Sequence, residues 1–145
     1  MELATAALVV AGFTPGFYLT SPALTDGGSV PVRYTCDGKG VSPALHWTKP
    51  PAGTVTMKLT VTDPDVPLGL FIHWTATGIP PRAGSIGEGK HLAHEGLNGL
   101  GKKGWTPPCP PRGSKPHRYL FVLSALDRQG HVIAEADMIT HYGRS

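Results

Sequence analysis

The sequence predicts a mainly β, single-domain protein, and three observations carry that expectation. Residues 54–63, TVTMKLTVTD, alternate strictly: Val55, Met57, Leu59 and Val61 fall between Thr54, Thr56, Lys58, Thr60 and Thr62. That period of two is the pattern of a strand with one face buried. Gly (19) and Pro (15) make up almost a quarter of the 145 residues and punctuate apolar runs without forming repeats, so many turns are expected. Helical periodicity is scarce, and the stretch SIGEGKHLAHEGLNGLGKKG carries too many Gly for a stable helix.

The elements follow in chain order. Residues 1–15 form an apolar N-terminal extension, and residues 16–145 are expected to form one domain. The apolar run ELATAALVVAGF is too short to span a membrane, and Glu2 stands where a signal peptide has basic residues. A cytoplasmic location without a transmembrane segment is therefore expected, with export as the alternative. GFYLTS (16–21), PVRYTC (31–36) and ALHWT (44–48) are short strand candidates. LFIHWTATGI (70–79) is a longer one, with Ile72, Trp74 and Ala76 on one side and Phe71, His73 and Thr75 on the other. HRYLFVLSAL (117–126) places His117, Tyr119, Phe121, Leu123 and Ala125 on one face. HVIAEADMITHY (131–142) reads as one or two helical turns or as a last strand. Trp47 and Trp74 are expected in the core.

Charge and cysteine content exclude several functions. The net charge is +3, but no run of Lys and Arg exceeds two, so no nucleic-acid stripe is formed. Cys36 and Cys109 are not spaced as a metal-binding pair, and no paired histidines at metal spacing accompany them. Two free thiols are the expectation for a cytoplasmic protein, with a disulfide as the alternative.

The chemistry concentrates in two segments. In DPDVPLGLFIHW (63–74), Asp63 continues the buried stripe of the first long strand. A carboxylate in that phase must find partners or line a cavity, because burying it alone is costly. The plain alternative is an Asp-Pro-Asp turn with solvated carboxylates, Asp65 bonding to Arg118 or to the Pro-rich loop. In GWTPPCPPRGSKPHRY (104–119), Pro107, Pro108, Pro110 and Pro111 leave the loop few conformations, so it can hold a rigid rim. His117 and Tyr119 then offer an imidazole and a phenol side by side, donors suited to an anion. His91 and His94 of HLAH are read as surface residues.

DPDVP…HW followed by GWTPPCPPRGSKPHRYLF resembles the phosphatidylethanolamine-binding protein family, also called Raf kinase inhibitor protein-like. SPALTDGGSVPVRYTCDGKGVSPALHW and the ending GHVIAEADMITHYGRS resemble its prokaryotic branch. The likeness runs from about Gly16 to the C-terminus. It implies a Greek-key β-sandwich with a few short helices and an anion-binding pocket at one end. Such pockets take phosphate, acetate, cacodylate or a phosphoethanolamine headgroup.

Carried over by motif, Asp63 and Asp65 form the acidic edge and His73 the first histidine. Pro67 belongs to the adjoining turn, Cys109 and Pro110 to the rim of the Pro-rich loop, and His117 and Tyr119 to the opposite wall. The chain departs from the family at Val66, Leu68, Trp105 and Thr106-Pro107, and the long C-terminal helix of animal members is not expected. A more open and more apolar mouth is expected from these changes.

The function the resemblance implies is binding of a small anionic or phosphorylated ligand, with regulation of a protein partner as its output. A homodimer is kept as an assembly to test. No cofactor and no metal are expected, although Asp63, His73 and His117 are chemically able to ligate zinc. The alternative is a metal-free enzyme using Asp63, His73 and His117 for acid–base chemistry on a partly apolar substrate, in a cyclisation, dehydration or isomerisation.

Overall fold

A computed structural model describes residues 15–145, so most of the N-terminal extension lies outside the described residues. Among the described residues, eight strands form two antiparallel sheets: β1 (Leu19–Thr20), β2 (Leu45–Trp47), β3 (Thr56–Val66), β4 (Gly69–Ile79), β5 (Ser85–Ile86), β6 (His94–Glu95), β7 (His117–Leu126) and β8 (Val132–Tyr142). The larger sheet has the order β6-β4-β3-β7-β8, and the smaller one β1-β2-β5.

The alternation read at 54–63 is the burial pattern of β3. Met57, Leu59 and Val61 are buried between half-buried neighbours, and Asp63 continues the same phase at 3% exposure. On β7, Tyr119, Phe121, Leu123 and Ala125 face the same core, and on β8 so do Ala134, Ala136 and Met138. Each large apolar side chain removed from water here contributes about 1.5–3 kcal/mol. Leu19, Leu45, Trp47 and Ile86 of the smaller sheet belong to this same buried cluster.

Four elements differ from or sharpen the sequence expectation. PVRYTC is not a strand: Val32–Tyr34 form a single 3-10 turn, closed by Thr35 N–H to Val32 O. Pro31 cannot donate a ladder hydrogen bond, which favours that turn over sheet pairing. Residues 131–142 resolve almost wholly to the strand β8 (Val132–Tyr142), because ten residue pairs run along β7 from His117↔Tyr142 to Leu126↔Val132. GFYLTS contributes only the two residues of β1.

The fourth concerns β4. Its register against β3 runs Val61↔Trp74 and then Thr62↔Ile72, which leaves His73 as an extra residue. Such a β-bulge re-aims side chains. Strict alternation would put His73 and Trp74 on opposite faces, yet both are buried, at 5% and 0% exposure.

Candidate functional site

The turn after β3 sets the position of the first carboxylate. Val66 pairs with Gly69 across a two-residue tip of Pro67 and Leu68, and Gly69 has φ +119°, which only glycine adopts without strain. Just before the tip, Asp63 Oδ1 accepts the main-chain N–H of Asp65 at 2.8 Å. This Asx turn fixes the carboxylate inward. Its other oxygen, Oδ2, meets His117 Nδ1 at 2.6 Å in a buried contact. An ionised Asp63 accepts from this nitrogen, so Nδ1 carries a hydrogen and Nε2 is the atom left for other partners.

The second histidine is held by the Pro-rich loop. His73 Nδ1–H donates to Thr106 O at 2.8 Å, and Thr106 N–H donates to His73 O at 2.9 Å. These two bonds clamp the loop to the bulge. Burial pushes the His73 pKa below its ordinary value, against smaller upward contributions from the Thr106 carbonyl and from Asp63. At neutral pH the ring is thus uncharged, with Nε2 an acceptor. Phe71 and Tyr119 flank the His73 ring at 4.8 and 5.2 Å between centroids.

Tyr119 completes the floor. It is fully buried, and its hydroxyl has no hydrogen-bond partner among the described residues. Burial, followed by the charge of Asp63, drives its pKa well above the ordinary phenol value. The group is a neutral donor throughout the physiological range.

Asp63, His73, Cys109, Pro110, His117 and Tyr119 line one cavity of about 260 Å³. The sequence also named Asp65 and Pro67, and the fold turns these elsewhere. They line an adjoining, larger depression of about 590 Å³. There Asp65 is bound by Arg118, through its main-chain N–H at 2.8 Å, Nε at 3.0 Å and Nη2 at 2.8 Å. The guanidinium holds the Asp65 carboxyl down at about 2. Arg118 bracing Asp65 was the structural alternative for this residue.

Val66, Phe71, Leu100 and Thr106 line the cavity as well, and sequence reasoning missed all four as site residues. The cavity lining is apolar at Leu100, which is 62% exposed.

The two cysteines are not free thiols. Cys36 and Cys109 form a disulfide with Cα atoms 5.3 Å apart, well within bonding range. Backbone pairing brings them together, since Cys36 N–H donates to Pro108 O at 3.1 Å. Trp105 Nε1–H adds a bond to Gly40 O at 3.0 Å. Arg144, bonded to Asp37, also reaches Pro110 O. The cavity wall that contains Cys109 is thereby tied to the segment after the 3-10 turn. Among the described residues, no group of three or more His, Cys, Asp and Glu is arranged to hold a metal ion.

Two antiparallel sheets sharing one core, with a polar-floored cavity lined from β3, β4, β7 and the Pro-rich loop, define the class, a β-sandwich with a binding-protein fold. The sequence model described as phosphatidylethanolamine-binding protein matches residues 20–142. The chain belongs to the phosphatidylethanolamine-binding protein family. It is 36% identical over 147 residues to a UPF0098 protein of Chlamydia trachomatis, a match taking in 86% of this chain and 97% of that one. It is 42% identical over 110 residues to the candidate lipoprotein LppC of Mycobacterium tuberculosis, covering 74% of this chain and 54% of that protein. The chain thus spans about half the length of that relative.

Two solved structures share the fold. The chlamydial homologue CT736 superposes with a TM-score of 0.82 at 34% identity, over 91% of this chain and all of that one. YbcL of E. coli, described as a member of the mammalian family, superposes at 0.83 with 27% identity, over 90% and 99% of the two chains.

Proposed function

We propose that the protein binds a small, singly charged oxyanion that still carries a hydroxyl, such as a phosphomonoester in its monoanionic form. The observation that supports this most is the buried Tyr119 hydroxyl with no partner among the described residues. An unsatisfied buried donor costs about 1–3 kcal/mol, a cost a ligand oxygen would remove. Neutral His73 offers an acceptor at Nε2 for the ligand's own hydroxyl, and His117 presents its Nε2 beside them. The buried Asp63 carboxylate repels a dianion more strongly than a monoanion, which favours the singly charged form.

Calorimetric titration with inorganic phosphate and O-phosphoethanolamine from pH 5 to 8 tests this reading. Affinity is expected to fall as pH rises past about 6, where a phosphomonoester loses its second proton. Tyr119→Phe is expected to weaken binding about tenfold. Flat affinity across this range, unchanged in the variant, rejects the reading.

A second reading is favoured by the Asp63–His117 contact. A carboxylate that orients an imidazole through Nδ1 makes Nε2 a general base, and Tyr119 would serve as the acid. Turnover of added small carbonyl compounds, lost in His117→Gln, would establish this enzyme reading over simple binding.

For location, the disulfide favours export over the cytoplasmic expectation, because disulfides persist in oxidising compartments. The lipoprotein name of one relative points the same way. Thiol titration of the protein isolated from its native cells, with alkylation at lysis, distinguishes the two locations.

A further inference from the structure

We infer that the open depression beside the cavity is a second anion subsite, so that the preferred ligand is a phosphomonoester carrying another negative group on a short linker. This rests on reading the cavity as the phosphate site. His117 and Pro111 line both hollows, so one imidazole and one proline form the partition between them. A molecule whose phosphate sits against His117 Nε2 has its remainder directed to the apolar mouth or over this partition.

The charges of the depression select what lies there. Its single carboxylate, Asp65, is already engaged by three donors of Arg118, so those two residues cancel. Lys115 also lines the depression and makes no ion pair among the described residues. His141 stands on the same surface, its main chain fixed by bonds to Gly28 and Val30. The surplus charge is therefore positive, from Lys115.

A carboxylate or second phosphate is attracted there, whereas an ammonium tail meets like charge. Pro67, Pro111 and Pro116 frame the surface. Their fixed φ means little backbone freedom is lost when a ligand settles.

The test compares three probes by calorimetry at pH 6 and low ionic strength: inorganic phosphate, glycerol 3-phosphate and 3-phosphoglycerate. The last two differ in replacing a neutral hydroxymethyl by a carboxylate. 3-Phosphoglycerate is expected to bind about three- to fivefold more tightly than glycerol 3-phosphate, the range of a solvent-exposed charge pair. Lys115→Ala is expected to remove that difference while leaving phosphate affinity unchanged. The gain should also shrink in high salt.

Equal affinities of the two esters in the wild-type protein overturn the inference, and so does a difference that survives Lys115→Ala. Failure of phosphate itself to bind instead overturns the reading of the cavity, and the second subsite falls with it. Lys115 is exposed, so its removal leaves the fold intact.

Discussion

Asp63 and Asp65 lie two residues apart at the end of one strand, yet they inhabit different electrostatic worlds. Asp63 is buried against a buried histidine. Asp65 faces solvent on the far side of the turn and meets an arginine that is half exposed. Both contacts are short, and by distance alone they look equivalent. Burial separates them: a charge without its partner is costly in a dry interior, whereas an exposed one is met by water and screened by salt.

The Pro-rich wall keeps the Asp63 side dry, so cutting its tether is the strongest way to break the contrast. Removing the Cys36–Cys109 bond, which joins residues 73 apart in sequence, is expected to cost about 4 kcal/mol by chain entropy. Denaturant melts of Cys36→Ser/Cys109→Ser measure it. If the variant keeps wild-type stability, the wall is held by its hydrogen bonds alone.

Next in size is Asp63→Ala, which leaves the His117 ring buried without its carboxylate. A loss of about 3 kcal/mol is expected, read as a drop in the denaturation midpoint that added salt does not change. A small, salt-sensitive loss would mean that water reaches the pair.

The third effect is a pH dependence from the same cavity. The His73 pKa is lowered in the folded protein from its ordinary value of 6.5. Below pH 6.5 the unfolded chain takes up a proton that the folded ring refuses, so stability is lost as pH falls and is flat above. Thermal melts from pH 7.5 to 5 should show this acid slope, and His73→Asn should flatten it while an amide N–H still reaches Thr106 O.

Asp65→Ala is expected to have the smallest effect, weaker than Asp63→Ala and diminished by salt. Its contribution is present above the ordinary carboxylate value of 3.8 and is lost as pH falls from there toward about 2. The two acids are thus separable by titration. An acid transition between pH 6.5 and 5 belongs to the His73 side, and one below 3.8 to Asp65. Equal losses for the two alanine variants would erase the comparison.

Much of this was legible in the residues. The alternation at 54–63 and 117–126 reports which side chains meet the core, because a strand turns alternate residues to opposite faces. It also marked Asp63, His117 and Tyr119 as inward polar groups before any fold was known. The motif likeness added the sandwich and the grouping of distant segments. Local pattern misassigned 31–36, where proline and a 3-10 turn overrode an apolar run, and it left 131–142 open until pairing with β7 decided it.

What the sequence determined by itself was phase: which residues point inward along each strand, a property of the chain's own two-residue period. Proximity between segments belongs to the tertiary structure. The bulge at His73 depends on register against β3, and the Cys36–Cys109 bond depends on a backbone pairing between distant loops. The split of Asp63 from Asp65 arises the same way. Their spacing places both on one side of the strand, and only the packing of His117 and Arg118 around the turn decides which carboxylate is buried. Interactions between residues fifty or more positions apart leave no period to read, because their energy exists only once the chain has closed on itself.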